Sequence, residues 1–213
     1  YEALDQVSAA YLMTKLKFGQ LITFIPGVRY EQLNGDYKGY LNLSLGHGAG
    51  IYEPRNSAFV QKNWLPMFHL KVKPDDWFDF RFAVTRSLTR PDFKKLLPSL
   101  KSSLNQLTAG VSQGNPDLKP AKSWNYDAYV SIYDHVFGLF TVGYFYKDID
   151  DIVINTKRFI ESQETAESLG LDPVFYRFDA GGNVRELTYV GRRVNRPENG
   201  PKSTAKGFEI DLQ

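Results

Sequence analysis

Residues 64–89 alternate between apolar and polar side chains, and this pattern limits the fold more than any other feature of the sequence. Phe78, Phe80 and Phe82 fall on one face of an extended chain, whereas Asp79 falls on the other. A period of two is typical of a β-strand and does not fit a helix. Three phenylalanines on one face need an apolar medium, which is either a protein core or a lipid bilayer.

Comparable alternation recurs along the chain, and the connections between the alternating segments have two very different lengths. Short turns alternate with long connections at residues 34–61, 90–122 and 156–203. Loops longer than about 15 residues are uncommon in compact soluble domains, whereas outer-membrane barrels combine short periplasmic turns with long extracellular loops. The pattern therefore predicts an all-β fold, an antiparallel transmembrane β-barrel segment of about seven strands.

Large aromatic residues lie close to the predicted strand ends. Aromatic side chains at these positions are typical of the girdles that flank the apolar band of an outer-membrane barrel. The residues are Tyr30, Trp64, Trp77, Trp124 and Phe137.

The composition excludes several classes of protein. A net charge of +2 without any run of Lys and Arg does not favour nucleic-acid binding. The absence of cysteine excludes disulfides and thiolate metal sites. The mean hydropathy of −0.37 resembles that of a soluble protein, but the polar lumen and loops of a barrel give the same value. No apolar run approaches the roughly 20 residues of a membrane-spanning helix.

Both ends of the sequence lie within alternating segments, so we expect residues 1–213 to be one partial β-barrel domain of a longer protein. An open sheet would not be stable alone in lipid, because each unpaired backbone group there costs several kcal/mol. The remainder of the protein is therefore expected to supply the flanking strands.

Five segments resemble the C-terminal part of the barrel of TonB-dependent outer-membrane receptors, especially those of the Bacteroidetes type. They occur in the expected order and cover nearly the whole chain. The segments are Pro26-Gly27-Val28-Arg29-Tyr30-Glu31, Arg90-Pro91-Asp92-Phe93 followed by Leu97-Pro98, Gly114-Asn115-Pro116-Asp117-Leu118-Lys119-Pro120, Tyr144-Phe145-Tyr146-Lys147-Asp148-Ile149 and Gly207-Phe208-Glu209-Ile210.

The resemblance implies a 22-stranded barrel in the bacterial outer membrane, closed by an N-terminal plug, that imports a scarce ligand with energy from the inner-membrane TonB–ExbB–ExbD complex. The plug and the TonB box are expected in the rest of the protein. Outer-membrane lipids would surround the barrel, and a surface lipoprotein could cap it. Siderophore, haem, cobalamin, peptide and oligosaccharide importers share this barrel, so the ligand stays open.

Two groups of residues are candidates for functional roles. Polar residues on the predicted strands are expected to face the lumen and the plug, namely Arg29, Glu31, His69, Lys71 and Arg81. Ligand capture is expected in the long connections, where the first combines aromatic residues with a cation, as binding surfaces do. These loop candidates are Tyr37, Tyr40, His47, Tyr52 and Arg55.

Other functions are alternatives to import. A passive porin or adhesin barrel has the same strand pattern but needs no plug. A secreted soluble β-sandwich that binds glycans would bury Phe78, Phe80 and Phe82 in its core. The sequence contains no catalytic motif, no metal-ligand spacing and no signature of a bound cofactor, so an enzyme is not predicted.

Overall fold

The computed structural model of the chain is dominated by β-strands, and it describes residues 2–46, 49–103, 110–134, 136, 138–171, 174–178 and 184–213. Two short helices lie in the long connections. The elements are β1 Glu2–Met13, β2 Leu16–Phe18, β3 Ile22–Gly46, β4 Ala49–Asp75, β5 Phe78–Thr89, α1 Phe93–Leu96, β6 Leu100–Ser103, β7 Val111–Gln113, β8 Ala121–Asp134, β9 Gly138–Asp150, β10 Val153–Phe159, α2 Gln163–Ser168, β11 Val174–Phe178, β12 Val184–Thr188, β13 Arg193–Asn199 and β14 Ser203–Leu212.

Seven of these strands form an antiparallel meander, which confirms the predicted number. Each strand pairs with the next in the order β1, β3, β4, β5, β8, β9 and β14. Within the described residues β1 pairs only with β3, and β14 pairs only with β9. The sheet is therefore open at both edges, as expected of a segment of a barrel.

The two faces of the meander differ in chemistry. Directly paired residues in an antiparallel sheet share a face, so the register defines complete rows across six strands. One row of the outer face contains Phe24, Leu70, Phe82, Ala128, Tyr144 and Phe208. The neighbouring row of the inner face contains Thr23, Lys71, Arg81, Tyr129, Gly143 and Glu209.

The outer face is exposed although it is apolar. Phe82 is 47% exposed and Phe208 is 77% exposed. In the described part of the chain no second sheet packs on this face. An exposed apolar surface that crosses a whole sheet is typical of a membrane-contacting surface, so the arrangement argues against the β-sandwich, in which these rings would be buried.

Aromatic pairs lie where the apolar band ends. Tyr30 and Trp64 are directly paired, with ring centroids 4.8 Å apart. The guanidinium carbon of Arg86 lies over the ring of Trp124, 5.1 Å from the ring centroid. Trp77 lies at the opposite end, in the turn before β5. Phe137 lies outside the described residues.

The prediction of a first long loop between the strands is wrong. Residues 34–61 continue β3 and β4 as one antiparallel hairpin, which is paired in register from Ile22 with Val72 to Ser44 with Gly50. The alternation continues there with the two faces exchanged, because apolar residues such as Leu33 and Leu41 are buried on the inner face and most outward positions are polar. The hairpin extends about 16 residues beyond Tyr30, or roughly 50 Å at about 3.4 Å per residue.

The other two long connections pack against the inner face of this extended hairpin. One buried cluster joins Tyr37 of β3 to Leu96, Leu97 and Leu118 of the β5–β8 connection. A second cluster joins β3 to both connections and contains Leu41, Leu43, Leu100, Val111, Ile160, Ala166, Leu169, Leu171, Tyr189 and Val194. Because the clusters use inner-face residues of β3, the connections fold over the inner side of the sheet.

Short strands reinforce this packing. β6 pairs in parallel with β3 at Leu41–Ser44, on the edge of β3 that β1 no longer covers. β7 pairs antiparallel with β6, β13 pairs in parallel with β7, and β10 pairs antiparallel with β13. The strands β10 and β13, which follow β9 in the chain, thus join the sheet on the β3 side of the meander. The short turns lie at the opposite end of the strands, as predicted.

Tyr129 lies across the inner face. A Cβ atom added to Gly143 would be 2.4 Å from the Cε1 atom of Tyr129, so the ring of Tyr129 covers this glycine. Its hydroxyl donates to the Oε2 atom of Glu209 at 3.3 Å. One tyrosine therefore spans β8, β9 and β14, and glycine is needed at position 143 for the ring to lie flat.

Candidate functional site

The inner face has a hollow near the short turns, and six of its fourteen lining residues are basic. Its volume is about 460 Å³. We call it the cationic hollow, and its basic residues are Lys15, Lys17, His69, Lys71, Lys73 and Arg81. Three predicted lumen-facing residues, His69, Lys71 and Arg81, are thus brought together.

Asp79 does not line the cationic hollow but contacts two of its basic residues, Lys71 and Arg81. Its side chain is fully buried and accepts from Lys71 Nζ at 2.9 Å and from Arg81 Nε at 3.1 Å. The hydroxyl of Tyr133 donates to the same carboxylate at 2.9 Å. One carboxylate therefore pairs with two neighbouring cations and offsets one of their two charges. Sequence analysis missed Asp79 because it is only one polar position in an alternating strand.

The cations of the hollow exceed its anions. Lys73 contacts Asp76 at 2.6 Å, and this hydrogen bond to the carboxylate raises the pKa of Lys73. Within the described residues, Lys15 and Lys17 have no carboxylate within ion-pair distance. The hollow consequently has a positive potential and favours an anionic surface or group.

Arg29 and Glu31, the other two predicted lumen-facing residues, form a separate cluster. Glu31 is only 8% exposed and accepts from Arg29 Nε at 2.6 Å. Its other oxygen contacts Arg90, the first residue after β5. Glu31 therefore attaches the start of the β5–β8 connection to β3, a structural role that the sequence pattern did not show.

The loop candidates are not on a loop, and they do not form one surface. Tyr37 and Tyr40 lie on β3, whereas Tyr52 and Arg55 lie on β4. His47 lies outside the described residues. The placement of these residues on one loop was wrong because the connection is a paired hairpin, which separates neighbouring residues onto opposite faces. Ligand capture by the exposed residues of the hairpin stays a prediction.

Tyr37 is a core residue on the inner face. It is 1% exposed, packs edge-on against Phe59 with ring centroids 5.2 Å apart, and donates its hydroxyl to Asp5 Oδ1 at 2.7 Å. Burial, and then this hydrogen bond, raise the pKa of Tyr37. The residue joins β1 to the buried loop cluster and has no surface for a ligand.

Tyr40 and Tyr52 lie on the outer face of the hairpin. Their rings stack with centroids 4.7 Å apart and an interplanar angle of 15°. Tyr52 is 65% exposed. Both residues point away from the side on which the connections fold, so they do not contribute to an inner-face site.

Replacing Tyr37 with phenylalanine should weaken the attachment of β1 while preserving the ring packing. We expect a loss of about 1–2 kcal/mol, because a hydrogen bond to a charged group contributes about 1.5–3 kcal/mol and the exposed Asp5 carboxylate is partly screened by water. Because the folded-state pKa of Tyr37 is raised, this contribution is fully present below about pH 10 and is lost only at higher pH. Urea unfolding of the full-length protein at pH 6 and pH 9 should give the same loss, and a loss at pH 6 alone would contradict this assignment.

Arg55 lines a second concavity, formed where the two connections pack on the hairpin. We call this space of about 350 Å³ the loop cavity. Its other polar residues include Ser99, Gln113, Asp117, Glu167 and Arg196. Sequence analysis missed all five because they come from segments without periodicity, and only the fold places them together.

Among the described residues no group of three His, Asp or Glu residues could hold a metal ion. The described helices are too short and too polar to span a membrane.

Comparisons with known proteins agree with this geometry. Residues 2–213 match the sequence profile of the family described as TonB dependent receptor-like, beta-barrel. A search of curated protein sequences gave no match.

The solved structures with the same fold include three receptors, each from a different bacterium. The hemophore receptor HasR of Serratia marcescens, in complex with its hemophore HasA and heme, is 15% identical with a TM-score of 0.65 over 98% of this chain and 31% of its own. The ferric enterobactin receptor PfeA of Pseudomonas aeruginosa is 17% identical with a TM-score of 0.57 over 99% of this chain and 33% of its own. The siderophore receptor PirA of Acinetobacter baumannii is 17% identical with a TM-score of 0.56 over 99% and 34%.

The chain spans about a third of the length of these receptors. The likeness to the Bacteroidetes type stays a prediction. The family match covers nearly every residue, and the open meander with an apolar outer face is the fold expected of part of such a barrel. The chain therefore belongs to the TonB-dependent receptor-like β-barrel family.

Proposed function

We propose that this chain is part of an outer-membrane transporter that imports a scarce ligand with energy relayed by the inner-membrane TonB complex. The observation that carries the proposal is the asymmetry of the sheet. Its outer face is an exposed apolar surface suited to lipid, and both folded connections pack on the inner side of one rim. A ligand captured among these connections would lie over the lumen. The receptor relatives for haem and for ferric enterobactin support a transport role.

The cationic hollow is the proposed contact for the plug domain. Its unpaired Lys15 and Lys17, together with Lys71 and Arg81, favour an acidic plug surface at the end of the barrel that carries the short turns. The Arg29–Glu31–Arg90 cluster lies farther along β3 and holds the extracellular connection instead. The five predicted lumen-facing residues thus have two different roles in this proposal.

Binding to TonB tests the proposal without knowledge of the ligand. We expect the purified full-length receptor to bind the periplasmic domain of TonB, and a variant lacking the plug to lose this binding. In cells, uptake of haem or ferric enterobactin by the receptor, where either is a substrate, should stop when TonB is deleted. A full-length protein that does not bind TonB would instead be a passive porin or an adhesin.

A further inference from the structure

The loop cavity lies between the two buried clusters of the folded connections. Ser99 lies between Leu97 of one cluster and Leu100 of the other. Gln113 follows Val111 of one cluster, and Asp117 precedes Leu118 of the other. The walls of the cavity are therefore held by packed hydrophobic side chains on both sides.

Hydrogen bonds fix the polar walls in place. Gln113 Nε2 and Arg196 Nη1 both donate to the carbonyl of Leu169, at 2.7 and 3.1 Å. Arg196 Nη2 donates to Asn115 Oδ1 at 3.1 Å, and Asn115 Nδ2 donates to the carbonyl of Pro197 at 3.0 Å. The site is thus formed before any ligand arrives, which reduces the entropy lost on binding.

Close backbone packing adds to this rigidity. A Cβ atom added to Gly114 would be 2.0 Å from the carbonyl oxygen of Leu97. The amide of Gly114 also donates to the carbonyl of Ser99 at 2.8 Å. The two segments that form this wall therefore lie in direct backbone contact.

Arg196 is a half-buried cation without an anionic partner. Both of its hydrogen-bond acceptors are neutral, and its buried Nε atom has no partner. Among the described residues no carboxylate lies within ion-pair distance of it. A partly buried charge that lacks a counter-ion is costly, so Arg196 favours an anionic group. Gln113 Oε1 is also buried without a partner, but as an acceptor it favours a hydrogen-bond donor.

Two carboxylates limit how much negative charge the cavity accepts. Asp117 and Glu167 line it together with Arg55 and Arg196, so the formal charges of the four residues cancel. A ligand with one negative charge can approach Arg196, whereas a second negative charge would be repelled by the two acids. The volume of about 350 Å³ is at the small end of the range for ligand sites.

We propose that the loop cavity binds a small polar ligand that carries a single carboxylate flanked by hydroxyl or amide groups. Arg196 pairs with the carboxylate, and the flanking polar groups bond to the remaining walls, including Gln113 and Ser99. The proposal rests on the proposed function only in treating the bound molecule as cargo, because binding itself is measurable without transport.

Equilibrium binding to the purified full-length receptor tests the site. The probes are gluconate, which has one carboxylate on a hydroxylated chain, and sorbitol, which has the hydroxyl groups alone. We expect gluconate to bind roughly tenfold more tightly than sorbitol, because a charge-assisted bond to Arg196 is added. Arg196→Gln should remove this preference. Arg158→Gln is the control, since Arg158 pairs with Glu198 on β13 and does not line the cavity.

A variant that is expected to gain binding distinguishes an effect on the site from a failure to fold. Asp117 and Glu167 are exposed, so the double variant Asp117→Asn with Glu167→Gln should fold normally. It should bind the dicarboxylate glucarate several-fold more tightly than the unmodified receptor does. Equal binding of gluconate and sorbitol, including no binding of either, would overturn the proposal, as would unchanged glucarate affinity in the double variant. Binding to TonB is independent of these results, so a failure here leaves the proposed function standing.

Discussion

Replacing Asp79 with alanine should destabilise the full-length receptor by about 2–3 kcal/mol. The change leaves Lys71 and Arg81 beside each other without their shared carboxylate, and it removes the acceptor for Tyr133. Breaking a buried ion pair costs about 3–5 kcal/mol. We expect less here because the Lys71 and Arg81 side chains are 41% and 48% exposed and partly screened by water. The free energy of unfolding in urea measures the effect.

Asp76 provides a matched control for Asp79. It lies three residues away and also contacts a lysine, but its side chain is 98% exposed. Asp76→Asn should leave the unfolding midpoint unchanged, since exposed pairs contribute little. Adding Lys71→Gln to the Asp79→Ala variant should recover part of the loss, because it removes one of the two uncompensated cations. If both aspartate variants were equally stable, Asp79 would not be the centre of this cluster.

Phe82→Arg should have an effect of similar size for a different reason. Phe82 lies on the outer face midway along β5, where the surrounding row is apolar on every paired strand. An arginine facing lipid near the bilayer midplane costs about 2–4 kcal/mol. Folding of the full-length receptor into vesicles, measured as a function of urea concentration, gives this difference directly.

Two control variants, one at a different depth in the membrane and one on the other face of the sheet, distinguish the Phe82→Arg effect from that of an ordinary core mutation. Leu88→Arg is on the same face of the same strand but lies six residues nearer the extracellular end, so it should cost only about 0–1 kcal/mol. Asp127→Arg, opposite Ala83 on the inner face, should also be tolerated. A large loss at Leu88 would indicate that protein rather than lipid covers the outer face.

The meander was predictable because its physics is local. A period of two in β5 and β8 reports the two environments of a sheet directly, and the register then confirms that their apolar residues share one face. The short turns were recognisable for the same reason. These features need only the identities of neighbouring residues.

Other features depended on contacts that a sequence pattern does not contain. The alternation of β1 is visible in the sequence. However, Ala9 and Tyr11 pair with the inner-face residues Glu31 and Arg29, so the more apolar side of β1 lies on the polar inner face of the sheet. Hydrophobicity alone would have predicted that this side of β1 lies on the outer face. Beyond Tyr30, β3 leaves the lipid-facing zone, and its outward residues are polar.

The candidate sites show the same division. His69, Lys71 and Arg81 were found because they occupy polar positions of regular strands. Gln113 and Arg196 were not found, because they lie on the short strands β7 and β13, and contacts between strands so far apart in the sequence give no signal before the chain folds. Tyr37 was assigned to a binding surface on residue type, but the loop cluster buries it.

The flat position of Tyr129 over Gly143 affects how freely another body could slide along this wall. A ring pressed against the backbone keeps the inner face flat, whereas a methyl group at position 143 would displace the ring and make it project from this face. The relief of the inner face at this height is thus governed by a residue that has no side chain.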